Sequence, residues 1–194
     1  MKSLPNILTI IRILLTPVFI ILLFSSHQGA NLGALIVFII ASITDAYDGY
    51  LARKYDVVTP QGRFLDPLAD KILVSSAFIS FAILGIVEYW MVILVIFRDL
   101  FVTGLRMAME FHGFTMLTSK IAKVKTTVQI SIIIFILLLL GIKGIHNEWV
   151  VTIIQAIRNY HIIYYFMLFV SLFTVYTGIT YIYANRHSIG RFIR

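Results

Sequence analysis

The chain contains no cysteine. Disulfides and thiolate metal sites are therefore excluded, and any bound metal must be held by oxygen or imidazole ligands. Charge is scarce: 13% of the 194 residues are Asp, Glu, Lys or Arg, and only nine are acidic. A soluble domain carries about 25% charged and about 45–50% apolar residues. Here the hydrophobic share is 60%, which excludes an ordinary water-soluble globule. The five histidines (His27, His112, His146, His161, His187) are scattered with no ligand spacing, so imidazole is a poor candidate for a metal site. The start, MKSLPNILTIIR, leads into no small-residue cleavage site, and the first apolar run is read as a retained span rather than a signal peptide.

What is present is a series of long apolar runs. A bilayer-spanning helix needs about 20 mainly apolar residues. Six segments qualify: Leu8–Phe24, Leu32–Leu51, Phe64–Val87, Tyr89–Met109, Ile121–Ile142 and Ile162–Ala184. The expected fold is an all-α integral membrane protein with six transmembrane helices in one domain, residues 1–194. Residues 145–160 either form a short helix at the interface, anchored by Trp149, or extend the sixth span. Lys and Arg concentrate at one set of span ends, from Lys2 through Arg53, Arg63, Lys71, Arg106 and Lys123 to Arg194, while the other set has only Lys143 and Arg158. By the positive-inside rule the basic ends and both termini are cytoplasmic, in a multi-pass cell-membrane protein. The net charge of +7 then points to anionic lipid or a phosphorylated substrate, not to nucleic acid.

The basic side also carries the acidic residues. The stretch 44–71, TDAYDGYLARKYDVVTPQGRFLDPLADK, holds five of the nine: Asp45, Asp48, Asp56, Asp66 and Asp70. Ionisable groups at a membrane segment are costly and point to function. Asp45 and Asp48 are three apart, Asp66 and Asp70 four apart, and on helices each spacing shares a face. Residues 54–62, with Pro60 and Gly62, are expected to turn the chain between them. Four carboxylates then converge at two helix ends. Alone they would repel and partly protonate; a divalent cation removes the conflict. Oxygen-only ligands suit Mg2+, Mn2+ or Ca2+. The plainer alternative, helix caps and surface charges paired with Arg53, Arg63 and Lys71, accounts for Asp56, which receives no role. Gly49 and Gly62 permit close backbone approach, and Ala52 keeps the face one turn beyond Asp48 open.

The residues Asp45-x-x-Asp48-Gly49-x-x-Ala52-Arg53, then eight residues, then Gly62-x-x-x-Asp66-x-x-x-Asp70 resemble the signature of the CDP-alcohol phosphotransferases without a departure. The segments LPNILTIIR (4–12), FLDPLADK (64–71), RDLFVTGLR (98–106) and KIAKVKTTVQ (120–129) resemble the bacterial phosphatidylglycerophosphate synthases of that family, with Asp99 where glutamate is expected. The resemblance implies the family's six-helix membrane fold, a homodimer, and transfer of a phosphatidyl group from CDP-diacylglycerol to an alcohol, here glycerol 3-phosphate, with release of CMP. It implies that Asp45, Asp48, Asp66 and Asp70 hold one or two divalent cations, Mg2+ or Mn2+. Asp70 would be the general base, and Gly49, Ala52, Arg53, Gly62 and Asp66 would line the CDP site.

Arg106, Lys123 and Lys125 lie on the same side as the aspartates and are candidates for the acceptor phosphate. Each is also explained by the positive-inside bias alone, and for Lys120 that is the better account. Arg98 and Asp99 fall mid-span; adjacent residues do not share a helix face, so each is expected to need its own partner. Thr9 and Arg12 lie one turn apart on the first span, within reach of the donor, though membrane anchoring and packing are the better account. The aromatic residues from Tyr160 to Tyr183 read as an interface belt and packing surface. Two rivals remain: another CMP-releasing member of the family, a cardiolipin or phosphatidylserine synthase, and a small divalent-cation channel or transporter with an aspartate ring. The glycine, alanine and arginine positions have no purpose in the channel reading.

Overall fold

The computed structural model describes residues 4–27, 29–55, 60–114, 120–143 and 147–193, with the side chains of 4–8, 45–55, 60–68, 70, 120–123 and 193 outside the description. Among these residues every regular element is a helix: α1 (Leu4–Phe24), α2 (Ala30–Tyr55), α3 (Pro60–Ile83), α4 (Tyr89–Phe111), α5 (Lys120–Ile142), α6 (Glu148–Asn159), α7 (Ile162–Ala184) and α8 (Arg186–Ile193). The six apolar runs of the sequence are α1–α5 and α7.

The ends have local causes. α3 begins at Pro60 rather than being interrupted by it, because the missing proline N–H is not needed in a first turn. Gly62 therefore lies inside the helix and not in a turn. The same helix stops at Ile83, short of the expected Val87. Gly85 has φ of 68°, its N–H donates to Ala82 O at 3.0 Å, and the Ile86 N–H donates to Phe81 O at 2.9 Å. That is a Schellman ending, in which glycine takes the left-handed position at no steric cost. Residues 148–159 form a helix of their own: the Asn147 side chain accepts the Trp149 N–H at 3.0 Å, and His161, at φ 52°, separates α6 from α7. α6 buries none of its residues and Trp149 is 79% exposed, as an interfacial helix would have it. The short α8 lay outside the expectation, since a charged eight-residue segment carries no apolar run.

α1 packs against both α2 and α3, α5 against α2 and α7, and α4 against α3 and α7. One apolar core runs from Phe19 of α1 through Phe38, Phe78, Phe81, Met91, Ile133 and Ile136 to Met167 of α7. Outside it, large apolar side chains stand exposed, among them Ile21, Ile36, Ile93, Phe97, Leu172 and Ile179. Soluble monomers rarely expose so much contiguous apolar surface. Among the described residues two helical stretches, Val124–Ile142 and Ile162–Ala184, are long and apolar enough to cross a membrane. The apolar parts of α1, α2 and α3 are shorter, at Thr9–Phe24, Ala30–Thr44 and Lys71–Ile83. In α4 the run is broken by Arg98 and Asp99.

Candidate active site

The core-facing stripes change character along their length. On α1 the buried series is Thr9, Arg12, Thr16, Phe19, Leu23: one face at three- and four-residue steps, polar first and apolar after. On α5 it is Lys125, Gln129, Ile132, Ile133, Ile136, again polar then apolar. α4 and α7 run the other way, from Met91, Val92 and Val95 to Asp99, and from Met167 and Val170 to Thr174 and Thr177, before Met109 and Tyr181 close a small second apolar cluster. The helices alternate in direction, so these polar halves share one end of the bundle. That end holds the C-terminal turns of α2 and the N-terminal turns of α3 and hence both aspartate pairs. Ser80 is a buried polar residue toward the other end.

Asp45 and Asp48 lie on continuous helix in α2, and Asp66 and Asp70 on continuous helix in α3, so each pair does share a helix face. The four side chains, and those of Gly49's neighbours Ala52 and Arg53, lie outside the described residues, as does the side chain of Lys123; Gly49 and Gly62 are placed by backbone alone. Tyr55 and Pro60 close and open the two helices. The five peptide links between them reach at most about 18 Å, which bounds the separation of the helix tips.

At the same end is a buried charge cluster. Asp99 of α4 and Lys125 of α5 are 3% and 2% exposed and form an ion pair through Asp99 Oδ1. Gln129, one turn after Lys125, donates from Nε2 to Asp99 Oδ2 at 3.3 Å. The Arg98 guanidinium folds back onto its neighbour, donating to Asp99 Oδ1 at 3.2 Å. Adjacent residues do not share a face, but a long arginine reaches around the helix, so the expectation of separate partners fails for this pair. The Lys71 ammonium, next in sequence to Asp70, acts on both Asp99 and Lys125 at Coulombic range, tying the cluster to the middle of α3. A buried ion pair is costly unless further hydrogen bonds satisfy it, and here Asp99 receives three donors.

Arg98 lies against α7 where Gly178 removes the side chain. A Cβ at Gly178 would meet Arg98 Cγ at 3.0 Å and Nε at 3.2 Å. Gly178→Ala should displace Arg98, a packing cost that opposes the about 1 kcal/mol alanine gains over glycine within a helix. In thermal melting, the double variant with Arg98→Ala should lose no more than Arg98→Ala alone; full additivity would show that the contact is unimportant.

Of the acceptor-phosphate candidates, Lys125 is buried on Asp99, and Arg106 is exposed and donates from Nε to Glu110 one turn on, at 2.8 Å. Arg12 is fully buried, which excludes a role as a lipid-facing anchor. Tyr181 is buried within the otherwise largely exposed aromatic segment of α7. The sequence offered one signal for the Asp99–Lys125–Gln129 set: two opposite charges within apolar helices, which need each other.

Comparison with known proteins decides the family. The profile described as CDP-alcohol phosphatidyltransferase matches residues 2–183. The chain belongs to the CDP-alcohol phosphatidyltransferase family. A probable phosphatidylglycerophosphate synthase of Mycobacterium tuberculosis (strain H37Rv) is 38% identical over 192 residues, covering 97% of this chain and 84% of that protein. The CDP-diacylglycerol–glycerol-3-phosphate 3-phosphatidyltransferase of Bacillus subtilis (strain 168) is 43% identical over 142 residues, 67% of this chain and 74% of its own length. The protein of the same description from Rickettsia typhi is 42% identical over 145 residues, 74% of this chain and 80% of its own. The chain is thus a transferase of phospholipid synthesis, and the channel reading is set aside.

Among the described side chains no group of three or more His, Asp or Glu could hold a metal ion. The four motif aspartates lie outside the described side chains, about two to three turns in from the facing ends of α2 and α3, and offer hard oxygen ligands. That chemistry fits a divalent cation of the Mg2+ or Mn2+ kind.

Proposed function

We propose that this protein transfers the phosphatidyl group of CDP-diacylglycerol to glycerol 3-phosphate, giving phosphatidylglycerophosphate and CMP. The observation that carries the reading is the polar end of the bundle: both aspartate pairs of the family motif belong to it, in a chain whose relatives are named for this reaction. It is the phosphatidyl acceptor, not the donor, that separates this reading from a cardiolipin or phosphatidylserine synthase.

In this reading Asp45, Asp48, Asp66 and Asp70 hold one or two divalent cations, which when bound polarise the diphosphate oxygens and stabilise the leaving CMP. Gly49, Ala52, Arg53 and Gly62 line the CDP site with Asp66, small residues letting the nucleotide lie against the helices. Asp70 takes the proton of the acceptor hydroxyl. Arg106, Lys123 and Lys125 receive the acceptor phosphate. Lys125 uses one of its three donors on Asp99 and keeps two. All six long helices span the membrane, the aspartate end and both termini face the cytoplasm, and residues 1–194 form a single domain that pairs as a homodimer.

An acceptor screen on the purified protein tests the substrate. With CDP-diacylglycerol and a divalent cation, CMP should form only when glycerol 3-phosphate is added; release driven by serine or phosphatidylglycerol would move the protein to another branch of the family. Arg106→Ala should raise the KM for glycerol 3-phosphate by about tenfold or more, the size of one lost charged hydrogen bond. The KM for CDP-diacylglycerol should stay unchanged. Equal effects on both substrates would remove Arg106 from the acceptor site.

A further inference from the structure

At the opposite end of the bundle, a cavity of about 490 Å3 opens between the α3–α4 turn, the end of α5, and α6 with the start of α7. Its volume lies within the about 300–1,000 Å3 of small-molecule sites. Asp70 lies thirteen residues before the end of α3 at Ile83, about 20 Å along the helix axis. The cavity is therefore separate from the aspartate site. Its floor is apolar and reaches Ile136, Met91 and Met167, all three fully buried in the core. Its rim carries Lys143 and Arg158. These are the only two cations the sequence places at this end of the bundle, and both border the same cavity. Neither has an ion pair among the described residues. Glu88 shares the rim, so two cations and one carboxylate leave a net charge of +1 there.

We propose that this cavity binds a phospholipid with an anionic headgroup, its phosphate on Lys143 and Arg158 and an acyl segment over Met91 and Met167. An apolar floor below a cationic rim is complementary to such an amphiphile, and a lysine and an arginine with no ion pair among the described residues recognise phosphate as a point charge and as a fork. α6, which buries no residue of its own and packs on α7, forms one wall. The site is independent of the transfer reaction and does not rest on which acceptor the enzyme uses.

The test is thermal melting of the full chain in detergent with dioleoylphosphatidylglycerol, dioleoylphosphatidylcholine or inorganic phosphate. At a hundredfold excess over the dissociation constant, the anionic lipid should raise the midpoint by about 5–10 °C more than the zwitterionic one. In the double variant Lys143→Gln and Arg158→Gln most of that difference should disappear. Both residues are exposed, so its midpoint in phosphatidylcholine and its turnover should match the wild type. Three results would each overturn the proposal: an undiminished difference in the double variant, equal shifts with the two lipids, or the full shift with inorganic phosphate alone.

Discussion

Asp70→Asn should lower turnover by about 10²–10⁴-fold, the usual contribution of a positioned base. Asparagine matches aspartate in size but accepts no proton at neutral pH. Asp70 stands one turn after Asp66 on unbroken helix, with Lys71 and the Asp99–Lys125 pair at the same end of the bundle. Because Asp70 is also a proposed metal ligand, metal affinity has to be measured in the same variant. Loss of turnover with metal still bound identifies the base. Turnover near the wild-type value with metal bound would remove Asp70 from that role.

Asp99→Asn should cost about 3–5 kcal/mol of stability, the penalty for stranding a buried charge. Lys125 is 2% exposed and its ion-pair partner among the described residues is Asp99, so loss of that carboxylate leaves the ammonium buried without its counter-charge. The loss should appear as a lower melting midpoint in detergent. Combining Asp99→Leu with Lys125→Met removes both charges and should recover much of the stability, because replacing a buried pair by apolar residues is often close to neutral. If Asp99→Asn melts with the wild type, the pair is not buried as described. Activity should not return in the double variant, since Lys125 is also assigned to the acceptor phosphate.

The sequence made the helices and the polar end legible in different degrees. Apolar runs of membrane length located α1–α5 and α7 within a few residues, because lipid leaves the backbone no other way to satisfy its hydrogen bonds. Where the ends differed, local chemistry decided: Pro60 begins α3 instead of breaking it, and Gly85 ends α3 four residues early. Residues 145–160 were open between two readings, and the left-handed His161 separates α6 from α7. The Asp99–Lys125 contact is not legible in the sequence, although both charges stand out there. It depends on how α4 and α5 are rotated about their axes, and that rotation is set by the packing of Met91, Val95, Ile133 and Ile136. Once those side chains face the core, periodicity carries Asp99, Lys125 and Gln129 inward with them. The motif aspartates were read from spacing alone, and helical backbone at all four supports the shared faces that spacing implies.

In the proposed mechanism α2 and α3 share a divalent cation through four aspartates. Titration of the purified protein with Mn2+, followed by electron paramagnetic resonance in the presence of CMP, tests it directly. The account predicts one or two tight sites that are lost in Asp48→Asn and in Asp66→Asn, one variant on each helix. Unchanged Mn2+ binding in both variants would contradict it.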